Sequence, residues 1–230
     1  MNTADLKQDS VLGIAAEKQG APSRLHSSST QVLYTMTAAL GQRDTYTHAH
    51  AQRVAAYSRR LAQQACVSSP DLDNVTLGGM LHDVGKIALS DLIFSNKQAS
   101  LSKELQGEVQ SHPVIGAAML RHARCNKVIC QTVLYHHERI DGSGYPFGLK
   151  DHEIPLGAKI VSVADCFDAI TTDRPYQRRK TLYHAFRILE EMAGRQCLDG
   201  NLVALMVKDI QTNGIEHILP ASDTLFAAFK

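Results

Sequence analysis

Two adjacent histidines, His136 and His137, run into a charged turn and then a loop with Gly142, Gly144 and Pro146, in the stretch YHHERIDGSGYP. Two imidazolium ions repel, and two neutral rings each need a partner, so such a pair suits a shared cation. His82-Asp83 raises the same question, because it follows the apolar run GGML and precedes VGK. An unpaired aspartate facing a buried region costs about several kcal/mol or takes up a proton, and a cation removes that penalty. Lys86 would share a helical face with His82 if the helix continued; a plain Asp83–Lys86 ion pair is the alternative. His50, His112 and Asp165 complete the set. Asp165 lies in KIVSVADCFDAITT, where Ser162, Asp165 and Asp168 interrupt an apolar pattern. Asp165 and Asp168 are neighbours on one face, so one would ligate while the other orients a nearby histidine.

Imidazole and carboxylate donors without thiolate fit iron, manganese, zinc or nickel better than a structural zinc knuckle. His50, His82, His112, His136 and His137 with Asp83 and Asp165 exceed what one tetrahedral ion needs. They suit two ions bridged by a carboxylate and a water. Two metals about 3.5–4 Å apart make hydroxide available near neutral pH and clamp the oxygens of a phosphoryl group. Adjacent helical residues diverge by about 100°, so His136 and His137 can serve one centre only near a helix end. His48, His122, His152, His184 and His217 read as surface or hydrogen-bonded residues.

The rest of the chain bounds these readings. Among 230 residues, 24 basic side chains face 23 acidic ones, so any anion must be held by a local site. DNA, RNA and direct membrane insertion are not expected partners. Five scattered cysteines without a C-x-x-C read as reduced thiols in a cytoplasmic protein. Residues 1–29 read as a flexible N-terminal arm or linker remnant, 30–212 as one domain, and 213–230 as a tail.

Helical patterns dominate that domain. Ser29 or Thr30 would cap a helix ending at Gly41. In TYTHAHAQRVAAYSRRLAQQA the rhythm Val54, Tyr57, Leu61, Ala65 marks a helix with its arginines outside. Pro70-Asp71 starts the next, which leads into His82-Asp83. Further helices are expected over 102–110, 113–122, 126–138, 157–172, 181–193 and 200–211. Without sustained alternation, the fold class is all-α.

An ordered series of motifs makes the reading more specific: RDTYTHAHAQRV, GMLHDVGKIALSD, SHPVIGAAML, HHERIDGSGYP, IPLGAKIVSVADCFDAITTDRPY and CLDGNLV. With them the chain, over about residues 32–212, resembles the HD-GYP family of cyclic-dinucleotide phosphodiesterases, a branch of the HD-domain metal-dependent phosphohydrolases. The resemblance implies an HD-domain helical bundle with additional C-terminal helices. It implies one ion held by His50, His82, Asp83 and Asp165, and a second by Asp83, His112, His136 and His137, with Asp83 bridging. Iron or manganese come ahead of zinc or nickel. Some members hold a third metal through a glutamate four residues before the first ligand histidine; here Tyr46 stands there, so two ions are implied. Lys86 matches the family lysine at the scissile phosphate, Arg174 a basic residue that holds substrate, and Arg178 would stand in for a cation missing at Gln177. Tyr145 would reach a substrate base or another protein.

The implied activity is hydrolysis of cyclic di-GMP to pGpG, with a second cut to GMP left open, Asp83 and Lys86 in the catalytic roles, lowering a bacterial second messenger. Hydrolysis of cyclic GMP-AMP, or non-catalytic binding of the nucleotide or a protein, are the alternatives. A sensory or diguanylate cyclase protein docking at the GYP loop, and a homodimer, are the partners it allows.

Overall fold

The structure, a computed structural model, describes residues 35, 41, 45–95, 102–173 and 178–218, with backbone only at 45–47 and 95. Nine α-helices account for most of these residues, and no β-strand occurs among them. They are α1 (Thr45–Gln64), α2 (Asp71–Leu81), α3 (Asp91–Ser95), α4 (Lys103–Gln110) and α5 (His112–His122). After these come α6 (Lys127–Tyr135), α7 (Leu156–Thr171), α8 (Leu182–Gly194) and α9 (Gly200–Asn213). Short 3-10 turns at Val84–Ala88 and Asp151–Glu153 bracket the region of interest.

Local chemistry explains several boundaries. Asn126 begins α6 by accepting the Val128 N–H at 2.8 Å, and Asp199 begins α9 by accepting from Asn201 and Leu202. Gly214, at φ +78, ends α9. α6 stops at Tyr135, three residues short of the helix expected over 126–138, and His136 caps it. The all-α expectation holds; of the helix expected ahead of Gly41 only Thr35 is described, as helical, and Gly41 is itself helical.

Helix α1 is the central element because it carries two apolar faces. Val54, Tyr57 and Leu61 pack with Ile160, Phe167, Leu202 and Met206 of α7 and α9. Ala51 and Ala55 pack instead with Leu81, Leu120, Ile129 and Val133 of α2, α5 and α6. A third, smaller cluster joins Tyr135, Ile154 and Ala158 to Ile140, Phe147 and Leu149 of the intervening loop. Ile218, in the expected tail, is buried against the first cluster; residues 219–230 lie outside the described residues.

The arginines of α1 depart from the expectation that they face solvent. Arg59 pairs with Asp73 at 2.7 Å, and Arg60 grips the buried Asp209 of α9 with two bonds of 2.8 and 2.6 Å. An amphipathic pattern marks a stripe as polar without saying whether another helix lies beside it. The Arg60 bond holds the Asp209 carboxyl below the usual carboxylate range, against the opposing effect of burial. A lowered folded pKa stabilises the protein above the unfolded value near 4 and stops doing so as pH falls through the folded one. Asp209→Asn is therefore expected to cost about 1–3 kcal/mol at pH 7, since Arg60 keeps contact with water. Urea unfolding across pH should find the two proteins converging at strongly acid pH.

Candidate metal centre

Five helices deliver the sequence-predicted donors to one place. His50 comes from the second turn of α1, His82 and Asp83 from the end of α2, and His112 from the first turn of α5. His136 and His137 leave the end of α6, and Asp165 comes from α7. His50, His82, Asp83, His112 and His136 are all buried.

The rings are oriented by bonds on their outer nitrogens. His82 Nδ1 lies 2.8 Å from the Gly79 carbonyl, His112 Nδ1 2.6 Å from that of Val109, and His136 Nδ1 2.8 Å from that of Val133. A carbonyl only accepts, so each Nδ1 carries the proton and each Nε2 presents its lone pair. His50 Nδ1 donates in the same way to Asp168 Oδ2 at 2.7 Å.

Those tethers turn the Nε2 atoms toward one another, His50 to His82 at 3.2 Å and His112 to His136 at 3.3 Å. Two lone pairs at that distance need a proton or a cation between them. Asp83 stands between the two groups: its Oδ2 is 3.3 Å from His82 Nε2 and 3.8 Å from His50 Nε2, and its Oδ1 is 3.3 Å from His112 Nε2. Donor atoms of Asp83, His112, His136 and His137 lie within 4.8 Å of one another, and so do those of His50, His82 and Asp83. Asp165 Oδ1 adjoins the second group, 3.3 Å from His50 Nε2. By chemistry and spacing the donor set fits two divalent cations sharing one carboxylate.

Protonation favours the same occupant. Burial depresses His112 to about 4 and His137 to about 3, and it pushes His136 well below the usual range. These rings are neutral at pH 7. Burial would raise Asp83, but His82 and Lys86 beside it outweigh that and hold the carboxyl well below its ordinary value. Asp165 is depressed likewise, the bond to His50 overcoming burial. His50 differs: burial lowers it, yet the Asp165 and Asp168 carboxylates carry it up to about 9. A proton and a metal ion therefore compete for its Nε2.

Supporting residues surround this cluster. Asp168, fully buried, also accepts two bonds from Arg53, at 2.6 and 3.1 Å, so a cation from α1 braces the carboxylate that orients His50. Arg53 escaped sequence reasoning, although its place three residues after His50, on the same helical face, was a usable signal. Lys86 Nζ is 2.7 Å from Asp83 Oδ2, so the plain ion pair and the cluster coexist. The helix does not continue to Lys86; it tightens into the 3-10 turn Val84–Ala88, which brings the ammonium back over Asp83. Tyr145 is stacked on His137, ring centroids 4.7 Å apart. Arg178 is exposed in the irregular segment ahead of α8, whereas Arg174 and the Tyr46 side chain lie outside the described residues.

A family model described as HD domain matches residues 34–202. A cyclic di-GMP phosphodiesterase of Pseudomonas aeruginosa is 41% identical over 152 residues, which is 66% of this chain and 36% of the relative. A cyclic di-GMP phosphodiesterase of Thermotoga maritima is 41% identical over 157 residues, 66% of this chain and 42% of that one. The chain thus spans less than half the length of these curated relatives. A solved cyclic GMP-AMP specific phosphodiesterase of Vibrio cholerae superposes with a TM-score of 0.65 at 19% identity, covering 86% of this chain and 52% of that one. At that identity the likeness speaks for the fold.

Proposed function

The chain belongs to the HD-domain family, and from that premise we propose that it is a metal-dependent phosphodiesterase hydrolysing cyclic di-GMP to pGpG and on to GMP. The observation that carries this reading is the position of Asp83, one oxygen toward His112 and the other toward His82 and His50. Such an arrangement suits two cations rather than one. When bound, two divalent ions, iron or manganese by the family resemblance, would supply an activated water and positive charge at the phosphoryl oxygens.

The protein's own residues do the rest. His50, His82 and Asp165 on one side, and His112, His136 and His137 on the other, fix where a phosphodiester can approach. Lys86 is partly exposed and would move its ammonium from Asp83 to the substrate phosphate. Arg174 and Arg178 would add charge along the dinucleotide. A net charge of +1 leaves no long-range attraction for a dianion, so affinity must come from this pocket.

Asp168 tests the bracing of His50. Asp168→Ala should weaken binding of the first-side ion about 10–100-fold, the usual cost of losing an outer partner of a ligating histidine. Manganese titration followed by the free-ion signal reads this directly, and unchanged affinity would show that Asp168 does not act through His50.

The function itself is tested by metal analysis and side-by-side turnover of cyclic di-GMP and 3′3′-cyclic GMP-AMP by the same preparation. Faster cleavage of cyclic di-GMP is expected. Cyclic GMP-AMP is the competing substrate, and its exclusive turnover would replace the proposed one. Metal-loaded protein that cleaves neither would end the phosphodiesterase reading.

A further inference from the structure

Glu138 follows His137 directly and has no part in the reaction proposed above, yet it is buried to 3% exposure. Carboxylates are seldom left buried without strong partners. Its partners are backbone: Oε1 accepts the Phe147 N–H at 2.8 Å, and Oε2 accepts the Leu149 N–H at 2.9 Å. One side chain therefore closes the whole loop from 139 to 149 against the end of α6. The closure is tight, since a Cβ on Gly144 would lie 2.4 Å from Arg139 N and 2.5 Å from His137 O. Next to Gly144, Tyr145 donates its N–H to His137 O at 3.2 Å and lays its ring on the His137 imidazole, 27° from parallel.

His137 needs that support more than its neighbours do. His82, His112 and His136 each have Nδ1 held by a carbonyl, and His50 by Asp168. No hydrogen bond of this kind holds His137 among the described residues. Ring contacts remain, with His136 and His112 on the inner side and Tyr145 on the outer.

We propose that Glu138 is a positioning residue for the metal centre: by gathering the Phe147 and Leu149 N–H groups it sets the loop so that Tyr145 presses His137 toward Asp83 and His112. Tyr145 then acts through its ring face against a ligand, not through its hydroxyl. This rests on the two-ion reading given above.

The experiment titrates the chelator-stripped chain with manganese, and reads the affinity of each equivalent without substrate. Glu138→Ala and Tyr145→Ala should each weaken one of the two equivalents about 10-fold or more, leaving the other unchanged. Tyr145→Phe keeps the stack and should stay within about twofold of the parent, which a hydroxyl-mediated role would not allow. The Glu138→Ala/Tyr145→Ala double variant should be no weaker than the worse single one, because both act along one path. Should Glu138→Ala fail to fold, Tyr145→Ala against Tyr145→Phe carries the test alone. Parent protein binding two ions, with Tyr145→Ala binding both as tightly, overturns this inference and leaves the proposed function standing. Parent protein that binds no manganese, iron or zinc overturns both.

Discussion

Asp83→Ala is expected to leave the protein helical, strip it of metal and reduce phosphodiester cleavage to background. Asp83 supplies both oxygens between the two imidazole groups, so its loss would unmake both proposed cation sites together. The affinity loss should exceed the roughly 10–100-fold that follows from removing an outer partner alone. Fold is spared because Asp83 sits just beyond α2, where it begins the 3-10 turn without a hydrogen bond from its side chain to the turn's backbone. Lys86, left without its partner, is 29% exposed and can turn to water. Far-ultraviolet circular dichroism, metal content and turnover on one preparation check the three parts. Full turnover by metal-analysed Asp83→Ala would remove the mechanism.

Gly85→Ala should act on stability with comparable force, through backbone rather than chemistry. A Cβ there would stand 2.0 Å from His112 O and 2.6 Å from Gly116 N. Neither neighbour is a flexible side chain, so the 3-10 turn and the start of α5 must separate. Overpacking of this kind costs about 3 kcal/mol or more, a fall in Tm of about 6–12 °C for a domain of this size. Separation also draws His112 away from Asp83 Oδ1, now 3.3 Å distant, so manganese affinity should fall with stability. Gly107→Ala is the control: nothing lies within 4 Å of its Cβ position in α4, and a gain of about 0.5–1 kcal/mol is expected. Equal Tm values for the two variants would refute the packing argument.

Much of this centre could be read before any coordinates. Histidine beside aspartate after GGML, and paired histidines ahead of a glycine loop, are local signals that depend only on neighbours in the chain. The argument that adjacent histidines need a helix end is also local, and α6 does end at Tyr135. Asp165 and Asp168 were legible as one helical face with divided roles. Glu138 was not: inside HHER it looks like any charged turn residue, and its burial depends on a loop closing over it. The α1 arginines were misjudged because periodicity counts polar positions and does not see α7 or α9 opposite them.

The amino-acid sequence alone determined the helical fold class, the donor types and the loop chemistry, since these follow from spacing of three and four residues and from side-chain identity. The tertiary structure decided which donors meet, which nitrogen of each ring faces inward, and which residues brace them. His50 and Asp168 lie 118 residues apart yet bond at 2.7 Å. Such a distance is set by how α1 packs on α7, a sum of many burial terms across the core that no stretch of sequence carries by itself.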